Sequence, residues 1–173
     1  MEPMLITGRW TVSLDERGRF QLPSSLRQRL ESAGETGYYI CKADDRPLRI
    51  FWGKQLERAL HEVASDMEPE KLDNFLLQFG AMSVMQDVDG AGRLTIPDYL
   101  LSEARLKIRS QAVLVGKLYY LEIWNETLLE EALGKIHGSP ESKEMTARVN
   151  KTLPKLSGRS EEHTSELQSR QSI

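Results

Sequence analysis

The sequence repeats itself once, and this duplication constrains the possible folds more than any other feature. The first copy of the motif is LDERGRFQLP at residues 14–23, and the second is VDGAGRLTIP at residues 88–97, 74 positions later. Asp, Gly, Arg and Pro coincide in the two copies. Two further pairs of segments align downstream: 38–42 with 112–116, and 48–51 with 121–124, the last at an offset of 73. A repeat of this kind predicts two equivalent supersecondary units that together form one pseudo-symmetric body.

Each copy has the pattern of strand, turn, strand, short helix, strand and strand. In the first copy, alternating apolar residues precede a turn at residues 15–18, in which Gly18 can adopt a positive φ. Phe20 and Leu22 resume the alternation beyond the turn, so we expect the two flanking strands to form a hairpin. The sequence therefore predicts an α+β fold built from a duplicated unit of β-hairpin and short helix.

Apolar periodicity divides the chain into five segments. Between the copies, apolar residues at helical spacing predict a connector of two helices, the second with Pro69 in its first turn. Asn125 is a candidate N-cap for a helix that follows the second copy. The predicted boundaries are 5–54 for the first repeat, 55–81 for the helical connector, 82–126 for the second repeat, 127–158 for a C-terminal helical segment and 159–173 for a disordered tail.

The tail from residue 159 to residue 173 is polar and lacks the apolar spacing needed to join a core. Its run RSEEHTSELQS also resembles the in-frame translation of a sequencing-adapter oligonucleotide. We therefore leave the tail out of the fold prediction and do not consider its His163 as a site residue.

Composition indicates an ordinary globular protein in a reducing compartment. Of 173 residues, 39% are hydrophobic and 28% are charged, which excludes fibrous and fully disordered classes. The single cysteine, Cys41, cannot form an internal disulfide or a cysteine cage for zinc. No apolar run approaches the roughly 18 residues that span a bilayer, and the N-terminus does not resemble a signal peptide. We expect a cytoplasmic protein with no membrane partner.

The net charge of −3 conceals a basic first segment. Residues 1–30 contain five arginines and three acids, a net of +2, whereas residues 86–109 contain four bases and four acids, a net of zero. Every base of the first segment is arginine, whose planar guanidinium suits phosphate and guanine. The first copy is therefore the better candidate for a nucleic-acid surface.

The repeated Asp-x-x-x-Arg turn has two interpretations. Asp15 and Arg19 bracket the first turn, and Asp89 and Arg93 bracket the second. An exposed ion pair stabilises a turn by only about 0 to 1 kcal/mol, so the motif can serve a purely structural purpose. Alternatively, the aspartate holds the turn and its arginine, while the guanidinium projects toward DNA.

Enzyme functions have little support in the sequence. Asp15 and Asp89 on symmetric repeats invite comparison with an aspartic-protease dyad, but neither lies in an Asp-Thr-Gly or Asp-Ser-Gly turn. His61 and His137 have no catalytic or metal-ligating partners at suitable spacing, and no phosphate-binding loop occurs. We predict no enzyme activity, cofactor, metal or small-molecule substrate.

Three long segments make the chain resemble the MraZ family, whose members carry two SpoVT-AbrB-type repeats. They are TGRWTVSLDERGRFQLP at residues 7–23, DVDGAGRLTIP at residues 87–97 and YYLEIWNETLLEEAL at residues 119–133. The resemblance covers roughly residues 5–136 and implies a fold of the AbrB/MazE type, similar to a small double-psi barrel. It also implies a bacterial transcription regulator, usually a repressor, that binds repeated operator sites in double-stranded DNA upstream of the division and cell-wall gene cluster. The implied assembly is a ring-like homo-oligomer associated with the nucleoid.

Five arginines are the predicted DNA-binding residues. Arg19 and Arg93 match the repeated signature of the family, and Arg17 occupies the place where the family usually has lysine. Arg9 and Arg27 complete the set from the basic first segment. The predicted turn residues are Asp15, Gly18, Asp89 and Gly92.

Two departures from the family pattern favour the first copy over the second as the DNA-binding element. The connector at residues 76–82 lacks basic residues, and Ala91 stands in the second turn where Arg17 stands in the first. The alternative function is an AbrB or antitoxin-like module that oligomerises or holds a protein partner without contacting DNA. Exposure of residues 17–19 favours DNA binding, and their burial against the second copy favours the alternative.

Overall fold

The computed structural model of the chain describes residues 5–35, 37–42 and 47–169, with side chains as far as residue 155. These residues form eight strands and six helices. The strands are β1 (Ile6–Ser13), β2 (Arg19–Gln21), β3 (Gly37–Cys41), β4 (Leu48–Trp52), β5 (Ser83–Asp87), β6 (Arg93–Thr95), β7 (Gln111–Leu118) and β8 (Leu121–Trp124). The helices are α1 (Ser24–Ser32), α2 (Gly53–Asp66), α3 (Pro69–Ala81), α4 (Asp98–Glu103), α5 (Glu126–Ile136) and α6 (Pro140–Ser169).

The strands exchange partners between the two copies. β1 of the first copy pairs antiparallel with β7 of the second, β5 of the second pairs with β3 of the first, and β2 pairs with β6. The prediction of a hairpin between the strands that flank each turn is therefore wrong. Alternation and turn residues indicate that a strand ends and another begins, but they carry no information on a partner in the other copy, far away in the sequence.

The α+β class is confirmed, but the sheet does not close into a barrel. Six strands form one antiparallel sheet in the order β1-β7-β8-β4-β3-β5, and β2 and β6 form a separate two-stranded sheet. Among the described residues, β1 and β5 are the edges of the larger sheet and do not pair with each other. The short pair of β2 and β6 lies in another sheet, so it does not bridge this gap.

The core repeats the symmetry of the sequence. Phe20 and Leu94, which are equivalent in the two copies, are both buried. Further equivalent pairs of buried residues are Leu22 with Ile96, Leu26 with Leu100, Ile40 with Leu114, Leu48 with Leu121, and Ile50 with Ile123. One apolar cluster contains all of them, so neither copy has a core of its own.

Local signals mark the ends of several helices, and the predicted ones at Pro69 and Asn125 are confirmed. α1 follows Pro23, and Gly34 ends it with φ of 74° while its N–H donates to Glu31 O at 2.9 Å. α3 has proline at its N-terminus, and the Asn125 side chain caps α5 by accepting from Leu128 N at 3.3 Å. Among the described helices, none has both the length and the apolar character required to cross a membrane.

The chain divides into two compact units, one ending at Leu129 and the other beginning at Glu130. The second unit contains the end of α5 and all of α6. The backbone of α6 is helical to Ser169 and passes through Pro154, whereas the sequence predicts a disordered tail from residue 159. A segment without a core can still be helical, and the Glu, Leu and Gln of this one are good helix formers. Residues 170–173 lie outside the described residues.

Candidate nucleic-acid interface

Turn 1, residues 15–19, is organised by the carboxylate of Asp15. Asp15 Oδ1 accepts from the backbone N–H of Arg17 at 2.8 Å and of Arg19 at 2.9 Å. Asp15 Oδ2 accepts from Arg19 Nε at 2.6 Å. The aspartate therefore holds the turn and one edge of the Arg19 guanidinium at the same time, while the terminal Nη groups are not used by this hydrogen bond.

These contacts keep Asp15 ionised. The hydrogen bond from the Arg19 backbone N–H is the largest cause that lowers the pKa of Asp15 to about 2, and contacts with the Arg17 backbone and the Arg19 side chain act in the same direction. Because the folded-state pKa lies below the ordinary value, the negative charge stabilises the folded turn at neutral pH.

Turn 2, residues 89–93, repeats these hydrogen bonds and adds a contact through a terminal nitrogen, because Arg93 Nη2 lies 2.8 Å from Asp89 Oδ2. Asp89 Oδ1 accepts from the backbone N–H of Ala91 and of Arg93, both at 2.9 Å, and Asp89 Oδ2 accepts from Arg93 Nε at 2.9 Å. The Arg93 side chain is the main cause that lowers the pKa of Asp89. This pair is more exposed than that of turn 1: 35% of the Arg93 side chain is accessible, against 23% for Arg19.

Each turn is joined to the other copy through its glycine. Gly18 O accepts from Ile96 N at 2.9 Å, and Gly92 O accepts from Leu22 N at 3.1 Å. Gly18 has φ of 69° and Gly92 has φ of 81°, a conformation in which a side chain is strained. A Cβ on Gly18 would also lie 2.6 Å from Ile96 O, so glycine is required for the close approach of the two copies.

The two turns differ in the side chains that pack on them. At turn 2, Gln21 Nε2 donates to Ala91 O at 2.7 Å, and the guanidinium of Arg27 lies against Gly92. At turn 1, Leu101 packs against Gly18. Arg27, predicted from the basic first segment, is thus located at the turn of the other copy.

The remaining predicted arginines occupy different positions. Arg17 is exposed at the tip of turn 1. Arg9 is exposed on the edge strand β1, where its Nη2 lies 3.9 Å from Glu126 Oε1. The structure therefore places Arg17 and Arg19 on one turn, Arg93 and Arg27 on the other, and Arg9 on the sheet. Within residues 17–19, Arg17 is exposed, whereas Gly18 is buried against the second copy.

The two aspartates do not form a shared site. Each carboxylate is hydrogen-bonded to the backbone and arginine of its own turn. No group of three His, Cys, Asp or Glu side chains suited to a metal ion occurs within the described residues. In both turns, hydrogen bonds hold an aspartate and an arginine in place at the surface.

Gln21 is the residue of this surface that sequence reasoning missed. Its Nε2 group contacts both Ala91 O and, at 3.4 Å, Gly92 O, so it braces turn 2 from the neighbouring strand. Alignment of the two copies could have indicated it, because Gln21 aligns with Thr95 and Arg27 aligns with Leu101. At these positions the two copies have different residues, and so the two turns have different neighbours.

Comparison with known proteins identifies relatives for most of the chain. The family model of the MraZ protein, described as antitoxin-like, matches residues 80–151. A protein named transcriptional regulator MraZ from Corynebacterium urealyticum is 30% identical over 125 residues, which are 72% of this chain and 83% of the relative. Proteins of the same name from Corynebacterium kroppenstedtii and Dictyoglomus thermophilum are 31% and 30% identical, and the matches cover 68% and 73% of this chain and 79% and 84% of those relatives. These names describe a regulator of transcription and no enzyme activity.

Proposed function

Because this chain belongs to the MraZ family and is a transcriptional regulator, not an enzyme, we propose that it acts by binding double-stranded DNA through turn 1. The observation that carries the proposal is the rigid presentation of Arg19. Arg19 Nε donates to Asp15 Oδ2 at 2.6 Å, so the two terminal nitrogens of the guanidinium are the donors for a ligand. Two donors in a fixed plane suit the O6 and N7 atoms of guanine or the oxygens of a phosphate.

Arg17 adds a cation of a different kind. Its side chain is exposed at the tip of the turn, and only its backbone N–H is held by Asp15. A long, exposed arginine on a turn suits a phosphate contact, which contributes affinity without sequence selectivity. Arg9 on β1 is a further candidate for such a contact. In this proposal Arg19 specifies the sequence and Arg17 positions the turn on the backbone.

One such turn makes few contacts, so useful affinity requires several subunits on one DNA molecule. We propose a ring-like homo-oligomer that binds repeated operator sites, because linked binding events proceed at an effective concentration on the mM scale. Within the described part of the chain, β1 and β5 each have a free edge, which supports self-association because an uncovered strand edge can pair with another chain. Exposed apolar side chains support it too: Leu77 on α3 is 72% accessible and Met85 on β5 is 60% accessible.

The proposed target follows from the family resemblance. It is the DNA upstream of the division and cell-wall gene cluster, including the gene for the protein itself, and the proposed effect is repression. The corresponding location is the cytoplasm, in association with the nucleoid.

A mobility-shift titration on the protein's own upstream DNA tests this proposal. Wild type should shift the DNA, and Arg19→Ala should lose about 1 to 3 kcal/mol for each subunit engaged, so that binding across several sites nearly disappears. Arg17→Ala should weaken binding to specific and unrelated DNA alike and flatten the salt dependence. Arg93→Ala should cost less affinity than Arg19→Ala.

Arg58→Ala is the matched control, because it removes one exposed arginine from α2 and leaves both turns intact. It should bind like wild type. If Arg19→Ala, folded and oligomeric, shifts the DNA at wild-type concentrations, turn 1 is not the DNA-binding element. If wild type itself shifts no DNA, the alternative of a protein-interaction module is favoured.

A further inference from the structure

The two central strands of the larger sheet, β4 and β8, come from equivalent positions in the two copies. In the order β1-β7-β8-β4-β3-β5, each strand has its counterpart from the other copy at the same distance from the junction of β8 and β4. At this junction Arg49 pairs with Glu122, and these two residues are themselves equivalent at the offset of 73. The pairs on either side are equivalent to each other: Leu48 with Ile123, and Ile50 with Leu121. The pseudo-twofold axis therefore passes between Arg49 and Glu122.

A residue on such an axis faces its own counterpart. If the first copy paired with another first copy, Arg49 would face a second Arg49. If two second copies paired, Glu122 would face a second Glu122. Like charges directly opposite each other on neighbouring strands are destabilising, and their repulsion grows as water is removed. Only a first copy paired with a second copy places opposite charges on the axis.

The pair on the axis is largely withdrawn from water. Arg49 Nε lies 3.9 Å from Glu122 Oε1, and the two side chains are 18% and 6% accessible. This Nε is buried and donates no hydrogen bond to the residues that the structure describes. The next residues across the sheet are Cys41 beside Arg49 and Val115 beside Glu122, and burial raises the pKa of Cys41 to about 12, so neither is charged at neutral pH. A buried pair of this kind determines the choice of partner more than it adds stability.

The aromatic neighbours of the pair differ between the copies in the same sense. Trp124 Nε1 donates to Glu122 Oε2 at 3.1 Å, whereas the first copy has phenylalanine, which has no donor, at the equivalent position. The guanidinium of Arg49 lies 5.4 Å from the centre of the Tyr120 ring, and the first copy has proline at the position equivalent to this tyrosine. The acid on β8 and the cation on β4 are therefore each supported by a residue that only one copy supplies.

We propose that Arg49 and Glu122 select the pairing partner, so that the β4 surface of the first copy pairs with the second copy and excludes another first copy. Such selection is needed in any assembly of this chain, because copies of both repeats are then present at high local concentration. Exchange between chains is physically accessible, since the backbone is extended at Met67, between α2 and α3 of the connector. The proposal concerns strand pairing and is independent of DNA binding.

Thermal melting of charge variants tests whether the two residues act on each other. Arg49→Glu and Glu122→Arg each place like charges on the axis, and each should lower the melting temperature by about 10 °C. The double variant restores opposite charges and should melt above both single variants, but below wild type, because Trp124 and Tyr120 then face the wrong groups. Arg58→Glu reverses an exposed arginine on α2 and should melt close to wild type. If the double variant melts no higher than the single variants, the proposal is wrong.

Co-refolding of the two single variants tests the choice of partner directly. Arg49→Glu chains and mass-tagged Glu122→Arg chains are unfolded, mixed in equal amounts and refolded. Pairing between the two kinds of chain brings opposite charges together, whereas pairing within either chain does not. The mixture should therefore melt above each variant alone, and native mass spectrometry should find equal numbers of the two chains in every particle.

Tagged and untagged wild type, treated in the same way, are the control and should associate by chance, because each chain already contains a matched pair. A melting temperature of the mixture no higher than that of its components would overturn the proposal. So would monomers or a chance distribution of the two variants among the particles.

Discussion

At the scale of single residues, an aspartate at the start of each turn makes several contacts at once. Asp15 binds two backbone N–H groups and one guanidinium edge, and Asp89 repeats the arrangement. A carboxylate that accepts three hydrogen bonds from groups within four residues needs no tertiary neighbour. The motif therefore orients its arginine through contacts within the turn alone.

The lowered pKa of Asp15 predicts a specific acid sensitivity. Its ordinary value is 3.8 and its folded value is about 2, so the carboxylate contributes stability above about pH 4 that is lost as pH falls toward 2. Urea unfolding of wild type and Asp15→Asn between pH 2 and pH 6 should show a smaller pH dependence for the variant within this interval. Identical slopes for the two proteins would mean that the Asp15 contacts do not persist in solution. Glu16→Gln, at an exposed neighbouring position, is the control.

At the scale of elements, each turn links strands that pair with the opposite copy. Turn 1 connects β1, which pairs with β7, to β2, which pairs with β6. The turn must therefore change direction sharply and still allow the other copy to approach, and the positive φ of Gly18 satisfies both conditions. The glycine joins the two halves of the molecule as well as completing a turn.

Gly18→Ala should therefore destabilise the protein by about 1 to 3 kcal/mol, because the new Cβ is strained at φ of 69° and would lie 2.6 Å from Ile96 O. Gly90→Ala is a matched control in turn 2, since a Cβ there meets nothing within 4 Å. Chemical denaturation of both variants gives the comparison. Equal stability of the two would show that close approach at Gly18 is unimportant.

The polar tail at residues 159–173 is expected to be dispensable for stability and for DNA binding. Deletion of residues 159–173 should leave the melting temperature and DNA binding unchanged, because the segment is polar and has no apolar stripe for a core. The helical backbone to Ser169 does not alter this expectation, since a helix of polar residues stabilises only itself. A melting temperature lowered by several degrees would instead indicate a packed, stabilising segment.

At the scale of the whole molecule, exposed apolar residues and open sheet edges predict assembly. Light scattering after size exclusion should give a mass larger than that of a dimer at micromolar concentration. Leu77→Glu, which places a charge on a side chain that is 72% accessible on α3, should lower this mass. Gln78→Glu adds the same charge at the neighbouring exposed position and should not. A monomeric wild type would refute the ring.

Local structure was determined by the sequence alone. The turn at residues 15–18 and the cap at Asn125 are predicted by the sequence, because each depends on backbone and side-chain groups within a few residues. The pseudo-symmetric core was predicted too, since the duplication places equivalent apolar residues in both copies.

Only the tertiary structure decided which strands pair and which side chains meet at each turn. The pairing of β1 with β7 and of β2 with β6 joins segments that are far apart in sequence, and a strand's own pattern fits either partner equally well. The position of Arg27 beside Gly92 follows from that exchange, because α1 continues from β2 and so begins next to turn 2. Local propensity acts over a few residues, whereas these contacts depend on burying one core between two interlocked copies.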